Sequence, residues 1–163
     1  MKLSRSTDYP AAPQEVFAVL RQAQLQEEKC AATHALAYDA AVEEQGEQVL
    51  IRTRRELPAD GLPDFARSIV GERLVVEELQ EWGPEQADGG RTGTVSVTVP
   101  GTPVSMRGTL ALTPTAAGSH ESVEADLRAA VPLLGGRVEK AAAPLVLRAI
   151  ETEFATVTTW LGR

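Results

Sequence analysis

The chain has 163 residues, 43% of them hydrophobic and 24% charged, a composition that fits one soluble globular domain over residues 1–163. Its net charge of −7 argues against a nucleic-acid binder that works through charge alone, because such a protein needs cationic residues to displace counterions. A single cysteine, Cys30, excludes an intramolecular disulfide and a multi-cysteine zinc site.

In chain order, KLSRSTDY (Lys2 to Tyr9) is expected to form a strand closed by Pro10. In YPAAPQEVFAVLRQ, Pro13 fits the first turn of a helix, where its missing N–H costs nothing, and Glu15 suits the positive end of the dipole. Val16, Phe17 and Leu20 recur at helical spacing and should pack inward. Two strands follow, Ala35 to Val42 and Glu47 to Leu57, joined by the hairpin signal Glu43-Glu44-Gln45-Gly46. Val49, Ile51 and Thr53 alternate there with Leu50, Arg52 and Arg54, and Arg55 shares the side of Ile51. The proline- and glycine-punctuated stretch LPADGLPDFARSIVG breaks the pattern, leaving two helical turns over Asp64 to Val70.

Strands are expected again from Glu72 to Trp82, in TVSVTV, in VSMRGTLAL and in VEADLRAAV, the last three alternating cleanly between one apolar and one polar face. Such alternation describes an antiparallel sheet with one wet face, and the long terminal helix is the only element able to cover the other. At 100° per residue that helix gathers Val138, Ala142, Val146, Ile150, Val157 and Trp160 into one sector. Glu139 and Glu153 fall inside the same sector. Pro144 removes one helical hydrogen bond and predicts a kink. VPLLGGRVEK matches no phosphate-loop fingerprint and reads as the corner from last strand to helix.

The element order, with YPAAPQEVFAVL after the first strand and a long carboxyl-terminal helix, resembles the START/SRPBCC superfamily of helix-grip proteins. LPDFARSIVGERLVVEELQEW and VPLLGGRVEK resemble a bacterial branch of unknown function with a VP-x-x-G-x-x-[IV]-E-x signature. The resemblance implies an α+β fold in which a curved seven-stranded antiparallel sheet wraps the last helix and leaves a cavity. It further implies binding of lipids, polyketides, hormones or aromatic compounds, with cyclisation or dehydration in some members.

Within that frame the expected cavity lining is Phe65, Trp82, Met106, Leu127, Val146, Ile150, Glu153 and Val157, with Glu139, Glu153 and Arg55 as candidate polar anchors. Plain core packing competes for the apolar residues. Glu139 is also explained by the helix dipole or by a salt bridge to Arg137 or Arg107, and Glu153 by an ion pair to the sheet. The fourteen residues between the two acids, about 21 Å of helix rise, keep both from acting on one atom. His34 and His120 look loop-proximal and form no triad or metal motif, and Cys30, in a loop-like stretch, reads as a buried spectator.

The leading expectation is a non-catalytic binder or carrier of a small hydrophobic molecule, with no catalytic residue, no cofactor and no metal. The alternatives are a cyclase- or dehydratase-type enzyme using an inward carboxylate, and an interaction module whose core is filled by its own side chains. No nucleic acid and no integral membrane contact are expected, and a homo-oligomer is left open. MKLSRSTDYP lacks the apolar core of a signal peptide and no run approaches the roughly 18 apolar residues of a membrane span, so the cytoplasm is the expected location.

Overall fold

Every strand-like segment of the sequence becomes a strand, and most alternate apolar and polar side chains along a pleat. A computed structural model describes residues 1–163. The order is β1 (Lys2–Tyr9), α1 (Pro13–Leu20), α2 (Ala23–Ala32), β2 (Ala37–Gln45), β3 (Gln48–Pro58), α3 (Asp64–Val70), β4 (Arg73–Trp82), β5 (Arg91–Thr98), β6 (Val104–Thr115), β7 (Gly118–Ala129) and α4 (Gly135–Leu161). The seven strands form one antiparallel sheet in the order β1-β7-β6-β5-β4-β3-β2, and α4 packs on its inner face. This is the α+β helix-grip architecture.

Local chemistry explains the joints. Pro13 opens α1, and the Glu15 carboxylate accepts the Ala12 N–H at 3.0 Å, which satisfies an orphan donor of the first turn. β2 and β3 meet at a two-residue turn where Gly46 takes φ +63°, a conformation open to glycine. The sheet coils so tightly across β6 and β7 that a Cβ on Gly108 would collide with the Glu124 carbonyl and with Ala125.

Two expectations are corrected. A second helix, α2, occupies the stretch around Cys30 that reads as loop; its buried face is Leu25, Gln26, Lys29 and Cys30, half of it polar, so no apolar stripe advertises it. The last strand ends at Ala129 rather than Val131, and Gly135 and Gly136 lie inside the first turn of α4. The corner is Ala130 to Leu134, with Leu133 at φ +65° and fully exposed. His120 is loop-proximal, as expected, at the start of β7 just after the β6–β7 turn, its ring 2.7 Å from Asp8 of β1 on the outer face. α4 runs helical through Pro144 without interruption.

The space between sheet and α4 divides into zones. At one end α1 and α2 plug it, and Val16, Phe17, Leu20, Leu112, Phe154 and Val157 form a closed core. At the other end neither helix is present, and only α3 and the segment before it cover the gap, through Leu62, Ala66 and Val70. Charged side chains separate the two ends.

Candidate functional site

The open end holds a cavity of about 180 Å³. Its walls come from Leu57 of β3, Leu74 and Val76 of β4, Val97 of β5, Val104 and Met106 of β6, and Leu127 of β7. Val138, Ala142, Leu145, Val146, Ala149 and Ile150 of α4 face them. The polar exceptions are Arg55, Glu78, Ser105 and Glu153. Val146 and Ile150 keep part of their surface uncovered although they face the sheet, because the space opposite them is empty.

Arg55, Glu78 and Glu153 belong to a buried charge network that closes the inner end. Glu153 lies 3.1 Å from the Lys29 ammonium of α2 and 2.8 Å from the Arg55 guanidinium of β3. Arg55 also donates to Glu78 at 3.3 Å; Gln80 donates to Glu78 at 2.7 Å, and the Trp82 indole donates to Gln80 at 3.0 Å. Beyond it lies a chamber of about 40 Å³, lined in part by Lys29, Glu78, Gln80, Glu121 and Glu153, a volume that suits a water or two. Tyr9 of β1 donates to Glu121 at 2.6 Å.

The electrostatics follow from burial and pairing. Burial pushes the Glu153 pKa up, but the Lys29 and Arg55 charges overrule it and hold this carboxyl well below the usual range. Burial pulls Lys29 down, and Glu153, Glu78 and Glu121 together carry it above its ordinary value. Glu121 has no cation in contact, so burial raises it despite the Tyr9 hydrogen bond. Burial, reinforced by the Glu121 charge, also raises the Tyr9 hydroxyl. Cys30 is buried in α2, and burial raises its thiol, as suits a spectator rather than a nucleophile.

Of the residues singled out in the sequence, Met106, Leu127, Val146, Ile150, Glu153 and Arg55 meet around the cavity. Val157 lines the small chamber instead. Trp82 is placed otherwise: it lies in the closed core, its ring 5.6 Å from Phe17, because α1 covers that end of β4. Phe65 also leaves the lining, since α3 presents Ala66 and Val70 inward, and its ring sits 4.4 Å below the Arg137 guanidinium. Glu139 stands at the corner, where it accepts the Ala129 N–H at 3.0 Å and faces the Met1 ammonium at 3.5 Å. The Ala129 bond holds its pKa low; neither Arg137 nor Arg107 pairs with it. Lys29, Glu78, Gln80, Glu121 and Tyr9 went unrecognised in the sequence. Strand parity with Trp82 and with Val123 was the available signal for Glu78, Gln80 and Glu121; Lys29 carried none, because α2 lacks an apolar stripe.

No curated protein matches the chain. Among solved structures, TTHA0849 from Thermus thermophilus superposes with a TM-score of 0.66 at 15% identity, covering 99% of this chain and 97% of that one. A STAR-related lipid transfer protein fragment from Xanthomonas axonopodis gives 0.63 at 14% identity over 99% and 86%. The Zhui aromatase/cyclase from Streptomyces sp. R1128 gives 0.64 at 13% identity over 100% and 94%. At such identities these likenesses establish the helix-grip fold and no more. A family model described as "Protein of unknown function (DUF2505)" matches residues 4–161, nearly the whole chain, and the chain belongs to that family.

Proposed function

We propose that this protein binds or carries a small hydrophobic molecule in the cavity between the sheet and α4. One observation carries the reading: an apolar space of about 180 Å³ persists at one end of a core that is closely packed at the other. A core filled by its own side chains would leave room for a few waters at most, and here 17 of the 21 lining residues are hydrophobic, with polar partners for water only at Arg55, Glu78, Ser105 and Glu153. Burial of an apolar molecule supplies the affinity, and the charged inner wall orients it.

The lipid transfer and aromatase/cyclase neighbours of the same fold are consistent with this reading. The two carboxylates singled out in the sequence favour binding over acid catalysis: Glu153 is held ionised by two cations, and Glu139 lies outside the cavity. Glu78 is engaged by Arg55 and Gln80, and Glu121 lines the inner chamber rather than the cavity. Native mass spectrometry of protein purified from its own host should reveal a retained small molecule. Protein that is repeatedly empty and also takes up no apolar probe of single-ring size, such as cumene, would end the proposal.

A further inference from the structure

The cavity has a definite size and one unmatched polar group, and together they narrow what fits. A cavity of about 150 Å³ lined by aliphatic and aromatic side chains holds a single benzene ring. The present one, about 180 Å³, is only slightly larger and falls short of the roughly 300–1,000 Å³ of sites for drug-sized ligands. About six to ten non-hydrogen atoms fill it. A fused multi-ring skeleton or a long acyl chain does not.

The polar end is equally restrictive. The carboxylate oxygens there have partners: Glu153 Oε1 meets Arg55 and Oε2 meets Lys29, while Glu78 accepts from Arg55 and Gln80. Arg55, only 5% exposed and part of the cavity lining, has a buried Nε–H with no partner. A buried donor left unsatisfied is unfavourable, and an acceptor brought to it removes that cost. Both buried cations are already paired, Lys29 with Glu153 and Arg55 with Glu78 and Glu153, and Glu121 stands in the adjoining chamber, so a further anion would enter a site with no countercharge to spare.

We infer that the ligand is a small, uncharged molecule, a single aromatic ring or a short branched chain, capped by one neutral oxygen acceptor that takes the Arg55 Nε–H. This rests on the binding function proposed above and adds the ligand's size, charge and polarity. On this inference Arg55 has a double role: its terminal nitrogens hold the charge network, and Nε reads the ligand.

Side-chain NMR tests it with three probes of matched size: acetophenone, cumene and benzoate. Methyl signals of Met106, Leu127 and Ile150 report entry, and the Arg55 Nε–H signal, assigned by its loss in Arg55→Lys, reports the hydrogen bond. Acetophenone should move the methyls and shift the Arg55 proton downfield, whereas cumene should move the methyls alone. Benzoate should bind at least about tenfold more weakly than acetophenone. Pyrene and palmitate should move nothing.

Acetophenone that enters without touching the Arg55 signal overturns the acceptor. Benzoate that binds as well as acetophenone overturns the neutral head. Entry of pyrene or palmitate overturns the size limit while leaving the binding function intact. Failure of every compound to enter removes the binding function itself, and this inference with it.

Discussion

Glu153 sits in the middle of a helix face that is otherwise apolar, and the structure supplies its reason: two cations from two other elements converge on it. Removing one partner of a buried ion pair typically costs about 3–5 kcal/mol, because the remaining charge is left without compensation. Glu153→Gln should therefore lower the unfolding free energy by about that amount in chemical denaturation at neutral pH; a loss under about 1 kcal/mol would refute the account. Acid should expose the same carboxyl. Its folded pKa is depressed, so its contribution is present above the ordinary glutamate value of 4.5 and is lost as pH falls below it toward the folded value. In Glu153→Gln that part of the acid-induced fall in stability should be missing, which denaturation at a series of pH values would show. Glu121 acts in the opposite sense. Its raised pKa favours the folded state at low pH and withdraws that contribution as pH rises through the folded value.

At the scale of elements, the coiling of the sheet and the start of α4 make contrasting demands on glycine. Gly108 of β6 crosses so close to β7 that a methyl group would meet backbone, which cannot swing aside. Gly136, in the first turn of α4, has open space where its Cβ would stand and no positive φ. Gly108→Ala should lose roughly 1–3 kcal/mol through overpacking, and Gly136→Ala should gain about 0.4–1 kcal/mol by restricting the unfolded chain. Thermal melts of the two variants should move in opposite directions. Equal shifts would mean that the β6–β7 crossing is looser than its geometry. α3 adds a different lesson: only Ala66 of its seven residues is buried, so this cover over the cavity is held by few apolar side chains.

The whole molecule is asymmetric along α4, closed by α1 and α2 at one end and hollow at the other. A protein selected for packing alone would have filled that space, since cavity-filling substitutions commonly add about 0.5–2 kcal/mol. Ala149→Leu should do so, raising the melting temperature while abolishing probe uptake. A stabilised variant that still takes up the probe at full strength would separate the cavity from the binding function. No helix is long and apolar enough to cross a membrane.

The alternation in β3, β5, β6 and β7, the proline at the head of α1 and the apolar sector of α4 were legible residue by residue, because period and capping are local properties. From them followed the sheet, the gripping helix and the inward set Arg55, Met106, Leu127, Val146, Ile150 and Glu153. What lies across the gap is not local. The sequence by itself determined which faces turn inward. Only the tertiary structure decided that α2 delivers Lys29 to Glu153, that α1 seals Trp82 into the core, and that the opposite end stays open. Those outcomes depend on which distant elements meet, and the burial of a charge becomes favourable only when its partner arrives from another part of the chain.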